Sequence, residues 1–342
     1  MPPIRSETET RSVSTVFVPR LARTLSAIAL LLLAVPGFGQ MWPTRPVTMV
    51  VPGAAGSATD VLGRILAPRL SELLGRQVIV ENVGGAGGMT SVARVAKAAP
   101  DGYQFVLGHS GTHAINQTLF KHPQYNAATD FEPVALIAEL PIVLLARRTL
   151  PVDNLREFIV YATTNQAKMQ YGSPGVGSTV QLACELLNTA IGIKVTHIPY
   201  RGGGPAMQDL IAGLIDYQCV TTAIALPQIE GGTVKPLAIL MKARSAMLPA
   251  LPSAHEQGLT DFETVNWDAF FLPKGTPTAI VEKLNATTGA TMNTPAVQER
   301  LKEIGAELPA PERRSPQYLA KFVGTEIEKW AGPIKALGIS AD

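Results

Sequence analysis

The sequence predicts an α/β protein built as two lobes joined by a hinge. The chain has 342 residues, is 46% hydrophobic and only 16% charged, which suits about two domains of roughly 150 residues with real cores. Behind the N-terminal segment, short apolar runs alternate with amphipathic stretches in two successive βα series. A long helical tail follows the second series. This order is typical of a bilobal protein whose chain crosses from one lobe to the other and returns.

The N-terminal segment predicts export. Four arginines precede an apolar run of 11 residues, 25–35, and small residues surround Phe38. This is the order of a secretory signal peptide, so we expect residues 1–39 to be removed and the mature protein to be soluble and periplasmic. The alternative is an uncleaved anchor, but an 11-residue run is too short to cross a bilayer core of about 30 Å.

The first βα series provides most of the first lobe. Its strands and helices, in chain order, are Val47–Val51, the helix Thr59–Leu74, Gln77–Glu81, a helix that ends at Ala98, Tyr103–Gly108, and the strands Val134–Ala138 and Ile142–Arg147. We expect Pro141 to separate the last two strands. The chain should enter the second lobe near this proline.

The second series begins with the strand Met169–Gly172, and the tail closes the chain. The remaining elements are the helix Ser178–Ala190, the strand Val195–Pro199, the helix Pro205–Gly213, the strands Tyr217–Thr221 and Lys235–Met241, the helix Ala254–Gly258, the strand Thr264–Leu272, and the helices Pro277–Thr291, Pro295–Ile304 and Pro316–Leu337. The predicted domains are 40–141 and 263–342 for the first lobe and 142–262 for the second.

Two loops of small residues, one in each series, predict an anion site. The first loop, Pro52–Asp60, and the second loop, Tyr171–Thr179, each join a strand to a helix. Open backbone N–H groups at a helix start attract anions, and small side chains let a ligand approach the backbone. The candidate ligand contacts are Gly56, Ser57, Ala58, Thr59 and Asp60 in the first loop and Ser173, Gly175, Ser178 and Thr179 in the second. The simpler alternative for each loop is an ordinary βα turn.

Further candidates lie at other strand ends. Ser110 and Gly111 follow the third strand and could bind a ligand by hydrogen bonds, whereas GxSxG fails because Thr112 replaces the last glycine. Tyr200, Arg201 and Gly202 follow another strand, and Arg201 could pair with a ligand carboxylate or remain solvated. Trp267 could cover the cleft or fill a lobe core.

Several motifs favour a structural role. Gly84–Gly88 does not satisfy GxGxxG and follows the second strand, so it is interpreted as a tight turn with close helix packing. His109 and His113 lack the glutamate of HExxH, so no metal site is predicted, nor a cofactor or a catalytic residue. Cys184 and Cys219, the two cysteines, are interpreted as buried unpaired thiols, with a disulfide as the alternative that export permits.

The segments together resemble the solute-binding receptors of tripartite tricarboxylate transporters, often called the Bug family. The matching runs, in family order, are WPTRPVTMVVPGAAGSATD, VIVENVGGAGG, AAPDGYQFVLGHSGT, MQYGSPGVGSTVQLACELL, VTHIPYRGGGPAMQDLIAGLID, LPSAHEQGL and WDAFFLPKGTP. The resemblance implies a two-lobed, type II Venus-flytrap fold with a carboxylated solute held between the lobes. It also implies contacts from both small-residue loops and from Ser110, Gly111, Tyr200, Arg201, Gly202 and Thr222.

The chain departs from the family pattern in two places. The first loop lacks an aromatic residue and further glycines, and Thr221-Thr222 replaces a Phe-Asp pair. Losing that acidic group disfavours an amino acid and favours a di-, tri- or aromatic carboxylate. The resemblance therefore predicts a monomeric receptor that delivers this solute to membrane permease subunits.

Two other functions stay open at this point. One is a secreted hydrolase that uses Ser110 or Ser173, and the other is a receptor that passes its ligand signal to a sensor protein. The near-neutral balance of 29 Lys+Arg against 27 Asp+Glu leaves no broad basic surface for nucleic acid.

Overall fold

The computed structural model describes residues 42–200, 202–260 and 262–341. The predicted signal peptide, residues 1–39, and Arg201 lie outside the described residues. Among the described residues, no helix has both the length and the apolar composition needed to span a bilayer.

The described chain alternates strands and helices as an α/β protein does. The strands are β1 (Val47–Val51), β2 (Val78–Asn82), β3 (Gln104–His109), β4 (Phe131–Arg147), β5 (Gln170–Ser173), β6 (Thr196–Pro199), β7 (Tyr217–Thr221), β8 (Val234–Ile239) and β9 (Val265–Pro273). The helices are α1 (Ala58–Leu74), α2 (Met89–Ala96), α3 (Asn116–Leu119), α4 (Leu155–Asn165), α5 (Thr179–Ala190), α6 (Gly203–Ala212), α7 (Thr222–Glu230), α8 (Thr278–Met292), α9 (Pro295–Glu303) and α10 (Pro316–Leu337).

Two half-sheets share one long strand. The strand order is β2-β1-β3-β9-β4-β7-β5-β6, with β8 also paired to β4. The first part of β4 pairs with β9, and its last part, from Ile142, pairs with β7 and β8. The half-sheet β2-β1-β3-β9 belongs to the first lobe and the half-sheet formed by β5 to β8 belongs to the second.

Each half-sheet carries a hydrophobic core on both of its faces. In the first lobe, one core packs α1 and α8 against residues such as Phe270, and the other packs α2 and α10 around Trp267. In the second lobe, α4 and α5 cover one face around Tyr217, and α6 covers the other around Leu210. Four cores on two half-sheets give each lobe its own apolar interior, and the predicted two-lobed α/β fold is confirmed.

Pro141 does not divide β4 into two strands. The prediction of separate strands 134–138 and 142–147 is wrong, because β4 runs unbroken for 17 residues. Pro141 lies opposite Val265, immediately before β4 changes partners from β9 to β7. A proline is compatible with extended backbone and lacks only one N–H donor, so it is tolerated at a place where the ladder changes.

Other elements also differ from prediction. Residues 254–258 form turns and not a helix, because the segment between Ser253 and the left-handed Gly258, φ +100°, is too short to continue. Conversely, α4 and α7 were not predicted. Asn154 caps α4 by accepting from the amide of Glu157, a local pattern that the sequence does contain.

The two cysteines form a disulfide. Cys184 on α5 and Cys219 on β7 are joined by an S–S bond of 2.10 Å, with Cα atoms 5.6 Å apart, so the interpretation as unpaired thiols is wrong. Both residues are fully buried. Local periodicity points each cysteine inward, but only the packing of α5 on β7 brings the two sulfur atoms together.

Candidate ligand-binding cleft

A cleft of about 810 Å³ lies where loops from both lobes meet. The loops that follow β1, β2 and β3 leave the first half-sheet at the carboxyl ends of neighbouring parallel strands, and the loop after β5 does the same in the second lobe. Ligands of open α/β sheets bind in such crevices. The lining consists of Pro52–Ala54, Thr59, Gly84–Gly88, His109, Gly111, Asn116, Leu119, Phe120, Pro174–Thr179, Asn266 and Ala341.

The two lobes touch at one side of the cleft. The hydroxyl groups of Ser110 and Thr179 lie 3.3 Å apart across the interface. Gly177 packs so closely against Leu119 that a Cβ on the glycine would lie 2.6 Å from a leucine methyl group. These contacts join the second loop to the first lobe, so the structure shows a closed arrangement.

The first loop is held rigid by a carboxylate at the start of α1. The Ser57 hydroxyl accepts from the amide of Asp60, and the Asp60 carboxylate accepts from the amide of Gly56 and from Arg64. Burial alone would raise the pKa of Asp60, but the hydrogen bonds from Arg64, Gly56 and Asn82 lower it overall. Asp60 therefore stays ionised and organises the loop.

Open amides remain at the start of α1. In the described part of the chain, the backbone N–H groups of Ala58 and Thr59 donate to no protein acceptor. Thr59 itself lines the cleft. Because the Asp60 carboxylate is bonded within the loop, the group that α1 offers to an anion in the cleft is the open amide of Thr59.

The second loop has the same design at the start of α5. The Ser178 hydroxyl accepts from the amide of Gln181, whose side chain accepts in turn from the amide of Gly177. Within the described residues, the amides of Val176 and Thr179 donate to no protein acceptor. Gly175, Ser178 and Thr179 all line the cleft, so open amides approach it from both lobes.

Gly84–Gly88, interpreted from the sequence as a tight turn, also forms a third wall of the cleft. Four consecutive residues, 85–88, have φ between +45° and +119°, and Ala86 alone among them is not glycine. A side chain at Gly88 would also lie 2.7 Å from Thr112, so the close packing expected there is present too. A non-glycine residue in left-handed backbone beside a cleft is typical of a functional segment. The pairing of β1 with β2 explains why this loop faces the cleft.

The end of β3 supplies polar groups. Ser110 is fully buried and donates to the Asn266 side chain at 2.7 Å, while Gly111 donates its amide to Nδ1 of His109 at 3.1 Å. The turn 111–115 is π-helical, a conformation frequent at functional sites. Burial lowers the pKa of His109 to about 4, so this ring is neutral at pH 7.

The described lining contains no lysine, arginine, aspartate or glutamate. A bound anion would therefore be stabilised by backbone amides, hydroxyl groups and the ends of α1 and α5. Leu119, Phe120 and Val176 add an apolar wall. Such a surface suits a small molecule with ionised ends and an apolar body.

Several predicted contacts lie away from the cleft. Gly56, Ser57, Ala58 and Asp60 shape the first loop behind its lining residues, and Ser173 is buried inside the second loop, where its hydroxyl accepts from the amide of Gly175. These positions support the loops that carry the open amides.

The remaining candidates have structural partners. The amides of Tyr200 and Gly202 donate to Ser173 and Pro174 beneath the second loop. Thr222 is buried and donates to the carbonyl of Gly305. Arg201 is not among the described residues.

Trp267 lies in the core and not over the cleft. It is fully buried, and its indole N–H donates to Glu326 of α10 at 2.9 Å. The alternation of β9 explains this placement, since Asn266 and Asp268 face the opposite side of the sheet.

Neither candidate serine has a complete catalytic triad in the described chain. Ser110 contacts Asn266 and Thr179 but no histidine. Ser173 lies 2.7 Å from Nε2 of His197, yet its hydroxyl is also bonded within its own turn and only 1% of the residue is exposed. No carboxylate among the described residues holds the His197 ring, so the orienting third group of a triad is missing.

Comparison with known proteins identifies the family. The profile described as tripartite tricarboxylate transporter family receptor matches residues 62–339. The chain belongs to this receptor family. A UPF0065 protein from the TAR-I ttuE-ttuC' intergenic region of Agrobacterium vitis is 38% identical over 87% of this chain and 86% of its own length. The Bordetella pertussis protein BugT is 32% identical over 93% of this chain and 98% of its own.

Solved structures of this receptor family share the fold. MatC of Rhodopseudomonas palustris with bound malate is 39% identical, with a TM-score of 0.74, over 86% of this chain and 100% of its own. A second R. palustris structure, with adipate, is 37% identical, with a TM-score of 0.76, over 87% of this chain and 99% of its own. The periplasmic binding protein BugD is 38% identical, with a TM-score of 0.74, over 87% of this chain and 99% of its own. The family and these neighbours are solute-binding receptors and not enzymes.

Proposed function

We propose that this receptor captures a small organic carboxylate in the cleft, in the periplasm, and delivers it to the membrane permease of a tripartite tricarboxylate transporter. The observation that carries the proposal is the pair of helix starts, α1 and α5, that present open amides to one cleft from opposite lobes. The malate and adipate complexes of similar receptors support the ligand class. Export by the segment 1–39 would place the protein in the periplasm.

The ligand is expected to stabilise the closed form by bonding to both lobes. A carboxylate that accepts from Thr59 on one side and from Thr179 on the other binds the closed arrangement more tightly than an open one. A ligand shifts a conformational equilibrium only by such differential contacts. The permease would then recognise the closed form.

The lining favours a carboxylate without an amino group. An ammonium group needs an anionic partner, and the described lining offers none. The apolar wall of Leu119, Phe120 and Val176 favours an aliphatic or aromatic body between the ionised groups.

The test uses the mature protein, freed of ligand by unfolding and refolding, and a thermal-shift panel of mono-, di-, tri- and aromatic carboxylates with the matching amines. We expect one or more carboxylates to raise the melting temperature, because a ligand of the folded state stabilises it. Calorimetry should give a stoichiometry of about one. A panel in which no carboxylate binds would refute the proposal.

A pair of variants tests the site itself. Ala54→Asp places a carboxylate in the lining, whereas Ala55→Asp adds the same charge to the next exposed residue, which does not line the cleft. We expect A54D to weaken binding at least tenfold, since two like charges about 5 Å apart repel by several kcal/mol at a low effective dielectric. A55D should have a much smaller effect. Equal effects would place the ligand elsewhere.

Delivery is tested separately in the source organism. Deletion of the gene should abolish uptake of the radiolabelled ligand, and complementation with the wild-type gene should restore it. Unchanged uptake together with a lost transcriptional response to the ligand would instead support the sensor function.

A further inference from the structure

Asp268 is a buried carboxyl group beside the cleft with one weak hydrogen bond. It lies in the first half of β9 and is 2% exposed. In the described structure, the side-chain carboxyl group accepts one hydrogen bond, from the hydroxyl of Thr59 at 3.4 Å. A buried carboxylate normally needs several donors, and this one lacks them. Thr59 lines the cleft, so a single side chain connects Asp268 to the ligand space.

The ionisable groups on the surrounding elements do not compensate a charge on Asp268. On α1, Asp60 is bonded to Arg64. On β4, Glu139 lies directly opposite Trp267, so these two side chains share one face of the sheet. Asp268 follows Trp267 in β9 and therefore projects from the other face. On β3, His109 lies directly opposite Asp268 in the antiparallel ladder, so both side chains project from the same face.

These surroundings favour the protonated form of Asp268 near neutral pH. Burial raises the pKa of Asp268 to about 7, against the opposing hydrogen bond from Thr59. Burial lowers the pKa of His109 to about 4, so the histidine does not hold the proton. Asp268 therefore gains or loses its proton near neutral pH.

We propose that Asp268 and Thr59 form a relay that makes carboxylate binding depend on uptake of one proton. When Asp268 is ionised, the single hydroxyl proton of Thr59 is donated to it, and only oxygen lone pairs of Thr59 face the ligand. When Asp268 takes a proton from solvent, its O–H donates to Thr59 Oγ1. The Thr59 proton is then free to rotate and donate to a ligand carboxylate.

The relay rests on the proposed function and refines it. A bound anion repels the ionised form of Asp268 and so favours its protonated form. Protonation in turn frees the Thr59 hydroxyl to donate one more hydrogen bond to the ligand. Affinity should therefore fall as pH rises through the pKa of about 7. If only the protonated form binds, the dissociation constant rises about 25-fold between pH 6.5 and pH 8.5.

The experiment is isothermal titration of malate and adipate across that pH range, where both carboxyl groups of each probe are ionised. Repeating it in buffers of different ionisation enthalpy counts the protons taken up. We expect uptake to approach one proton per ligand at the high-pH end. A dissociation constant independent of pH, with no proton uptake, overturns the relay but leaves the receptor function intact. Absence of binding at every pH, by malate, by adipate and by every carboxylate of the thermal-shift panel, overturns the receptor function itself.

Variants separate the relay from a merely structural role. Asp268→Asn puts an amide donor beside Thr59 permanently, so binding should be as tight at pH 8.5 as the wild type is at pH 6.5, and independent of pH. Thr59→Val should bind weakly at all pH values, and Thr59→Ser should restore both affinity and proton uptake. Circular dichroism confirms that each variant is folded.

The D268N variant also assigns the proton. Persistence of proton uptake in D268N would assign the proton to another group and overturn the relay.

Discussion

The disulfide between Cys184 and Cys219 provides a stability prediction that follows from chain topology. The two residues are 35 positions apart, so the bond closes a loop of that length in the unfolded chain. The loop-entropy relation gives about 13 cal/mol/K, or about 4 kcal/mol at 25 °C, as the largest loss of unfolding free energy when the bond is removed. We expect reduced wild type to lose between about 2 and 4 kcal/mol, and the double variant C184A/C219A to lose at least as much, because it also removes both buried sulfur atoms.

The assay is urea unfolding followed by fluorescence and circular dichroism, on the double variant and on wild type refolded under reducing conditions. The reduced wild type keeps both sulfur atoms in the core, so its difference from the variant isolates the packing contribution of the sulfurs. Without the bond, the unfolding free energy should also fall more steeply with urea concentration, because the unfolded chain expands and exposes more surface. A loss below about 1 kcal/mol in reduced wild type would refute the loop argument.

Reduction of the native protein supplies a kinetic check. Both cysteines are fully buried, so a reductant reaches them only after the second lobe opens. We expect the rate of reduction to follow the rate of unfolding as urea is added. Fast reduction that does not change with urea would contradict this.

Three further predictions concern buried groups of the first lobe. Gly108→Ala places a Cβ 2.3 Å from the ring of His113, and we expect thermal or urea unfolding to show a loss of about 2 kcal/mol or more, because the packed ring cannot move. Arg313→Met removes both hydrogen bonds, 2.6 and 2.7 Å, to the buried Glu139 and should cost about 3 kcal/mol in urea unfolding at pH 8. Burial raises the pKa of Glu139, so the R313M loss should shrink at pH 5, where the carboxylate can take a proton. Asp268→Asn should stabilise the ligand-free protein at pH 8 but not at pH 4. The pKa of Asp268 is about 7 in the folded protein against an ordinary value of 3.8, so wild type loses stability as the pH rises from 3.8 to about 7.

Matched substitutions control for general effects of these changes. Gly324→Ala on α10 meets no atom within 4 Å and should be neutral or stabilise by up to about 1 kcal/mol. Arg45→Met breaks an exposed ion pair with Asp101 and should change stability by less than about 1 kcal/mol. A G108A variant as stable as G324A, an R313M variant as stable as R45M, or a D268N variant with the pH dependence of wild type would each contradict the corresponding argument.

The sequence by itself determined the class of fold and the principal strands. Apolar runs such as Val47–Val51 and Tyr217–Thr221 are strands with the predicted bounds, because their β-branched residues and flanking turns leave no competing local structure. The two small-residue loops were also found from the sequence, since a strand, a turn of small residues and a helix follow one another along the chain. The residue that caps α1 is Ser57. Family membership was indicated by the ordered set of motifs and is confirmed by comparison.

Only the tertiary structure decided which of these residues face the cleft. Gly84–Gly88 became part of the cleft because β2 pairs beside β1, and Trp267 became a core residue because Asn266 and Asp268 take the other face of β9. The bond between Cys184 and Cys219 likewise depends on a helix packing on a strand. Local patterns indicate what most segments are and which of their side chains face a core. They do not contain the distances between segments far apart in the chain, and a cleft, a disulfide and a proton relay all depend on those distances.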